Sequence, residues 1–327
     1  MMAFKTPGKA HRHGITLFEL QRMFPDEVAA RQWFEEIIWP EGPQCPHCGS
    51  VDVRKVKSEK PMPYRCGSCR KHYSVKTGTL MADSPLPLLK WVYAIYLDTT
   101  SLKGVASMKL HRELGITQKT AWFMQQRIRE AFAEQGDAVI MGGPAEDDET
   151  AVGGIRKNMS NAKLRELRGT GRGSVGKAIM VGVKDRETKQ VRAEVVDNTD
   201  SGTLQGFVVR HESGGATVYT DDAAAYAGLP FKHETVRHSG GEYVNGIAHT
   251  NGIESFWSMF KRAHKGTFHK ISQKHLQRYI NEFAGRHNIR DMNTICQMKY
   301  VAAAMFDKRL TYAQLAEDNG LASAARS

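Results

Sequence analysis

Two segments, Thr217-Val-Tyr-Thr-Asp-Asp222 and Asn251-Gly-Ile-Glu-Ser-Phe-Trp-Ser-Met-Phe-Lys261, decide the fold class. The first is a short β-branched and aromatic run ending on two acids, as a strand does where it meets a turn. The second switches to helical period. Its Ile253, Phe256, Trp257 and Phe260 form an apolar stripe, while Asn251, Glu254, Ser258 and Lys261 share the other face. Outward from these, strand-like runs recur at Val139–Gly142, Ala178–Val183 and Val191–Val196, with helices predicted over Thr203–His211 and Gln273–Phe283. Together they predict a mixed α/β domain over residues 138–295.

The chain has 327 residues and carries 46 Lys and Arg against 35 Asp and Glu, a formal charge of +11 that favours a polyanionic partner. Acids gathered at strand ends therefore stand out. Asp147, Asp148 and Glu149 follow the first run, Asp221 and Asp222 the fourth, and Glu254 lies 33 residues beyond Asp221. Singly, each acid is well explained as a turn former or helix cap. As a set they match phosphoryl transfer on DNA, which commonly uses two Mg²⁺ (or Mn²⁺) ions ~3.5–4 Å apart held by hard oxygen ligands. Lys261 shares a helix face with Glu254 and is placed to hold a backbone phosphate nearby. A basic band follows, with Arg262, Lys265, Lys270, Lys274, Arg278, Arg286 and Arg290 opposed by Glu282 and Asp291.

Four of the five cysteines form two pairs, Cys45-Pro-His-Cys48 and Cys66-Gly-Ser-Cys69. This C-x2-C-x17-C-x2-C spacing predicts a zinc ribbon over residues 41–80, with four thiolates around a structural Zn²⁺. His47 is the one local substitute for a ligand, and Cys296 is a lone thiol without an assigned role. A redox CxxC needs a βαβ setting, which is absent here. Arg54, Lys55, Lys57, Lys60, Arg65, Arg70, Lys71 and Lys76 make this module a basic knob, read as phosphate contact.

Before the ribbon, residues 1–40 read as a helical segment with Thr16 and Asp26 as caps. After it, residues 84–136 are helical and begin with a helix over Leu86–Leu97. A helix ending at Gly115 and a second capped by Thr117 give a helix-turn-helix-like layout. Gln118, Lys119 and Thr120 are then the base-facing candidates, and Gln126, Arg127 and Arg129 the phosphate-facing ones. An ordinary αα-hairpin has the same layout. Residues 296–327 read as a C-terminal tail.

No apolar run reaches the ~18 residues of a membrane helix, and no apolar core follows the basic N-terminus, so a cytoplasmic, nucleoid-associated protein is expected. Gly171-Arg-Gly-Ser-Val-Gly-Lys177 imitates a P-loop, but Ala178 stands where Ser or Thr would hold Mg²⁺, and a strand follows instead of a helix. No nucleotide cofactor is expected.

The chain resembles the IS1595 (ISXO2-like) insertion-sequence transposases of the DDE recombinase group. The resemblance rests on Asp148-Glu-Thr-Ala-Val-Gly-Gly154, Tyr219-Thr-Asp-Asp222, His233-Glu-Thr-Val-Arg-His-Ser239, Gly241-Glu-Tyr243, His249-Thr-Asn-Gly-Ile-Glu-Ser-Phe-Trp257, Lys261-Arg262 and Lys274–Phe283, with the family's zinc ribbon at Cys45–Cys69. It implies an RNase H-like core that cuts transposon ends and joins their 3′-hydroxyls to target DNA, and at least a homodimer on paired terminal inverted repeats. It also implies Asp148 and Asp221 as catalytic acids. At the third position the 33-residue gap and the seven-residue step to Lys261 favour Glu254, with Asn251 kept as an alternative ligand. Asp147 stands where members often have an apolar residue, so it competes with Asp148. Two other readings share these features: a catalytically silent DNA-binding regulator derived from a transposase, and an RNase H-like nuclease that does not join ends.

Overall fold

The structure is a computed structural model that describes residues 13–133, 141–153, 161, 165, 177–221, 223–236 and 249–318. Of the expected features, Val139 and Ile140, Gly154, Asp222, residues 237–248 and most of the Gly171–Lys177 loop lie outside the described residues. In chain order the elements are α1 (Leu17–Met23), α2 (Glu27–Ile38), β1 (Val53–Lys55), β2 (Tyr64–Cys66), β3 (His72–Tyr73), α3 (Leu88–Thr100), α4 (Ser107–Leu114) and α5 (Gln118–Ala131). They continue with β4 (Ala145–Val152), β5 (Ala178–Asp185), β6 (Val191–Val196), α6 (Ser201–His211), β7 (Thr217–Asp221), β8 (Lys232–Val236), α7 (Asn251–Ala263), α8 (Gln273–Asn288), α9 (Thr294–Ala304) and α10 (Tyr312–Ala316). The chain divides into two compact units, residues 1–133 with 289–318, and residues 134–288 with 319–327.

In the first unit, local chemistry sets the helix starts. Thr16 and Glu19 form a capping box on α1, and Asp26 accepts the Ala29 N–H at 2.9 Å on α2. Pro87 offers α3 no side-chain cap, so the Glu27 carboxylate accepts the N–H groups of Leu88 and Leu89 at 2.7 and 2.9 Å. The short strands β1–β2–β3 form an antiparallel sheet. Trp39, at the end of α2, meets Tyr64 and Tyr73 edge-on at 5.6 and 5.7 Å. The expected tail contains α9 and α10. Met298, Val301, Ala302 and Met305 recur at i, i+3, i+4 and i+7 and are buried in the same core as Trp91 and Ile95. That period was legible and overrides the reading of residues 296–327 as a tail.

The second unit is a five-stranded mixed sheet in the order β6-β5-β4-β7-β8. β6, β5 and β4 are antiparallel neighbours, and β7 and β8 add in parallel. One face packs against α7 and α8, through Met180, Val191 and Val152 against Ile253, Phe256, Phe260 and Ile280. The other packs against α6, through Ala145, Val181, Val183 and Val218 against Leu204, Phe207 and Val208. This is the RNase H-like α/β architecture that the resemblance implies.

The strand at its centre is displaced from the predicted one. Among the described residues Met141 makes only an isolated bridge, to Glu212, and the paired strand is Ala145-Glu-Asp-Asp-Glu-Thr-Ala-Val152. The acids lie within the strand rather than after it. Among the described residues, no helix is long and apolar enough to cross a membrane.

Candidate active site and zinc centre

Alternation along β4 sorts its acids between the two faces of the sheet. Val152 packs with α7 and α8, and Ala145 packs with α6. Glu146, Asp148 and Thr150 therefore point towards α7, and Asp147 and Glu149 towards α6. Parallel pairing of β4 with β7 sets Ala145 beside Val218 and Glu146 beside Tyr219. The same offset brings Asp148 level with Asp221.

A cleft of about 370 Å³ opens between β4 and α7, lined by Asp148, Glu149, Thr150, Glu254, Trp257, Ser258, Lys261, Arg262 and Lys265. Burial pushes the Asp148 carboxyl up to about 8, and repulsion from Glu149, Asp221 and Glu254 adds to the rise. Glu254 accepts a hydrogen bond from Thr250 Oγ1 at 3.2 Å, and Asp221 accepts the Ala223 N–H at 3.0 Å. Asn251, Ser258 and Lys261 are exposed on the Glu254 face of α7. Asp147 is fully buried on the opposite face, with neither carboxylate oxygen hydrogen-bonded. Burial, then repulsion from Asp148, holds its carboxyl well above the usual range.

Three carboxylates on β4, β7 and α7 are a hard-oxygen donor set, and the crowding at Asp148 is of the kind a divalent cation relieves. The donors are spread more widely than the thiol cluster of the zinc module. Among the described residues, only the four cysteines bring at least three candidate ligand atoms within 4.8 Å of one another.

The approach of α7 to the sheet depends on Gly182, which pairs with Asp148 across β4 and β5. A Cβ at this position would lie 2.6 Å from Trp257 Cζ2. Gly182→Val is therefore expected to lift α7 from the sheet. A misplacement of ~1 Å in a reactive geometry costs about a hundredfold in rate, and overpacking costs about 1–3 kcal/mol of stability. Rate and melting temperature measured together test this, and an unchanged rate would show that helix placement is not critical.

In the ribbon, Cys45 Sγ lies 3.7 Å from Cys69 Sγ, and Cys48 Sγ lies 3.6 Å from Cys66 Sγ. A tetrahedron with Zn–S of ~2.3 Å has edges of about 3.8 Å, so the four thiols fit a structural Zn²⁺. His47 is exposed and outside the cluster. At Gly67, beneath the second turn, the Asp52 carboxylate fills the space a Cβ would take, with Oδ2 at 1.9 Å from that position.

Arg54, Lys55, Lys57, Arg70 and Lys71 are exposed on the ribbon. Lys76 is not, since it donates to the carbonyls of Ser84 and Leu86. In the helix pair, Gly115 adopts the left-handed conformation (φ 57°) that ends α4, and Thr117 caps α5 by accepting the Thr120 N–H. Gln118 and Lys119 are exposed and Thr120 is half-buried. Gln118 donates to Ser107 Oγ at 3.0 Å, and the Lys119 ammonium lies 4.5 Å from the Tyr312 ring centre. Gln126, Arg127 and Arg129 are buried, contrary to the reading of an outward face. Arg127 stacks on Phe123 and donates to Leu310 O, because the side of α5 that carries it packs into the unit's core. Arg262 and Lys265 are exposed at the cleft, whereas Arg286 pairs with the buried Glu282 at 2.7 Å.

Residues 140–288 match the ISXO2-like transposase domain, and residues 25–72 match the transposase zinc-ribbon domain. The chain thus carries an ISXO2-like transposase domain and a transposase zinc ribbon. An uncharacterized protein in transposable element ISH50 of Halobacterium salinarum is 28% identical over 281 residues, covering 82% of this chain and 93% of that relative. A chain in the cryo-electron-microscopy structure of a simian T-cell lymphotropic virus intasome in complex with PP2A regulatory subunit B56 gamma is 14% identical, with a TM-score of 0.27. That match covers 60% of this chain and 64%, under two thirds, of the other.

Within the ISXO2-like transposase domain, sequence reasoning passed over Glu146, Lys184 and Arg186, which surround the start of α7. Glu146 accepts the N–H groups of Gly252 and Ile253 at 2.6 and 3.0 Å and is paired with Arg186 at 2.9 Å. The available signal was an acid two residues before Asp148, on the same face of a strand.

Proposed function

We propose that the chain is a DDE-type DNA transposase that binds the terminal inverted repeats of its element, cleaves there and joins the freed 3′-hydroxyl to target DNA. The observation that carries this reading is the gathering of Asp148, Asp221 and Glu254 from β4, β7 and α7, with Lys261, Arg262 and Lys265 lining the cleft beside Asp148 and Glu254. Divalent cations (Mg²⁺ or Mn²⁺) held by these three acids would supply Lewis-acid polarisation of the phosphate and stabilisation of the leaving oxygen.

The chain's own residues align the strand. Lys261, Arg262 and Lys265 attract its phosphates, and Trp257 walls the inner side. In joining, the 3′-oxygen bonds to phosphorus as the target's P–O3′ bond breaks, so the number of phosphodiester bonds is conserved and no nucleotide cofactor is required. Asp148 rather than Asp147 is the first acid in this reading, since Asp147 faces away from the cleft. Arg54, Lys55, Lys57, Arg70 and Lys71 on the ribbon contact phosphates, and Gln118, Lys119 and Thr120 at the start of α5 read the end sequence. Arg127 is withdrawn from that set by its burial. Handling two ends together calls for a homodimer or larger assembly, working on the nucleoid in the cytoplasm.

The test is strand transfer from a pre-cut duplex end in Mg²⁺ or Mn²⁺, comparing wild type, Glu254→Ala and Asn251→Ala. Wild type is expected to join. Glu254→Ala should fall roughly a thousandfold, corresponding to several kcal/mol at about 1.4 kcal/mol per tenfold, and Asn251→Ala by tenfold or less. The reverse order would make Asn251 the third acid's replacement. Tight end binding with no joining by wild type would overturn the enzymatic reading in favour of a DNA-binding derivative, and cleavage without joining would point to a nuclease.

A further inference from the structure

Asp148 and Glu254 come from different elements, and something must fix their separation. Glu146 lies two residues before Asp148 on the same face of β4, and its carboxylate is almost completely buried. One oxygen, Oε2, accepts the Gly252 and Ile253 N–H groups, two of the unpaired donors in the first turn of α7. The other, Oε1, accepts from Arg186 Nε at 2.9 Å and stands 3.2 Å from His249 Nδ1. Arg186 also donates to His249 O and lies over the Tyr219 ring, while Lys184 donates to Gly252 O at 3.2 Å. Thr250 provides no side-chain cap for α7. The cap of this helix is thus a side chain from the strand that also carries Asp148.

Gly252 makes the contact possible. A Cβ there would sit 2.6 Å from Glu146 Oε2 and 3.0 Å from Lys184 Nζ. Glu254 follows two residues later in the same turn, so the position of its carboxylate is set by where Glu146 holds the backbone.

We propose that Glu146, braced by Arg186, is a positioning residue that clamps the first turn of α7 to β4 and so sets Glu254 against Asp148 for cation binding. This rests on the reading that Asp148 and Glu254 hold a divalent cation. The acceptor at Glu146, more than its charge, carries the effect, because the contacts to α7 are backbone N–H donors. Outer-shell partners of this kind typically carry about 10–100-fold in metal affinity or activity.

The experiment uses the full-length chain with Mn²⁺ as probe. Free Mn²⁺ is counted by electron paramagnetic resonance, and strand transfer is followed over a Mn²⁺ titration for wild type, Glu146→Ala, Glu146→Gln and Gly252→Ala. Asp148→Ala serves as the control for the site itself, and melting temperature as the control for folding. In Glu146→Ala and Gly252→Ala the Mn²⁺ midpoint is expected to rise about tenfold or more, with activity partly recovered at high Mn²⁺. Glu146→Gln, which keeps an acceptor, should lie between these and wild type. An unchanged midpoint in Glu146→Ala and Gly252→Ala, with Mn²⁺ binding lost in Asp148→Ala, would overturn the clamp and leave the metal reading standing. A lowered melting temperature and activity ceiling with no shift in midpoint would also overturn it, by showing a purely structural role. Mn²⁺ binding that survives in Asp148→Ala would overturn the metal reading, and the clamp with it.

Discussion

Asp148→Ala is expected to abolish strand transfer, by roughly a thousandfold or more, while specific end binding persists. Asp148 is the acid at which the cleft's repulsions meet, from Glu149, Asp221 and Glu254. Removing it takes away one of the three proposed oxygen donors and leaves the basic rim and the ribbon untouched. The same change is not expected to destabilise the fold. A buried carboxylate pushed up to about 8 opposes folding in its ionised form, so its loss should leave the melting temperature unchanged or raise it. Asp221→Ala should behave similarly in joining. Band-shift binding to an end duplex, strand transfer and thermal melting of the same preparations check this. Loss of binding together with joining would mean that Asp148 supports the fold rather than the chemistry. Retained joining would remove it from the site.

Asp147→Asn provides the contrast. Its carboxyl faces α6, is fully buried and lacks hydrogen-bond partners, so the substitution should change stability and leave joining within a few fold. A thousandfold loss would exchange the roles of the two neighbours.

Much of this arrangement was legible in the sequence because the pattern and the packing agree. The stripe Ile253, Phe256, Trp257, Phe260 is the buried face of α7, and the runs beginning at Ala178 and Val191 are strands, as periodicity predicts. Thr16, Asp26 and Thr117 cap helices because their side chains meet local backbone donors, a property of neighbouring residues alone. β4 was misplaced for the opposite reason. Its Glu-Asp-Asp-Glu core reads as a polar turn, and it is a strand only because flanking strands pair with it and its acids face packed neighbours. The orientation of α5 was equally hidden. Gln126, Arg127 and Arg129 read as exposed from their polarity, but their side of the helix faces the unit's core, and Arg127 finds Phe123 and Leu310 O there. Glu146 went unread because its partners, Arg186 and the first turn of α7, lie 40 and more residues away in the chain.

Zinc removal is the second large effect. The ribbon's three strands are two or three residues long, too short to hold a sheet by pairing alone. Their one aromatic cluster is Trp39 with Tyr64 and Tyr73. Tyr73, Val75, Leu80 and Met81 are also buried in the unit's apolar core, which leaves the two cysteine turns to the metal; binding of a structural zinc is worth about 10–16 kcal/mol in comparable small modules. Stripping with a strong chelator, or Cys66→Ser, is therefore expected to unfold the two cysteine turns and the strands between Cys45 and Cys69. Zinc release would be seen with a colorimetric indicator, and new proteolytic cuts would fall between Cys45 and Cys69. The α/β unit has its own apolar clusters and should keep its fold. If Arg54, Lys55, Lys57, Arg70 and Lys71 contact phosphates, end binding should weaken by tenfold or more. The slope of log affinity against log salt should also flatten, by about 0.9 for each phosphate that is no longer neutralised. Unchanged affinity and slope after zinc removal would show that the basic ribbon does not face DNA, and would leave end recognition to Gln118, Lys119 and Thr120 at the start of α5.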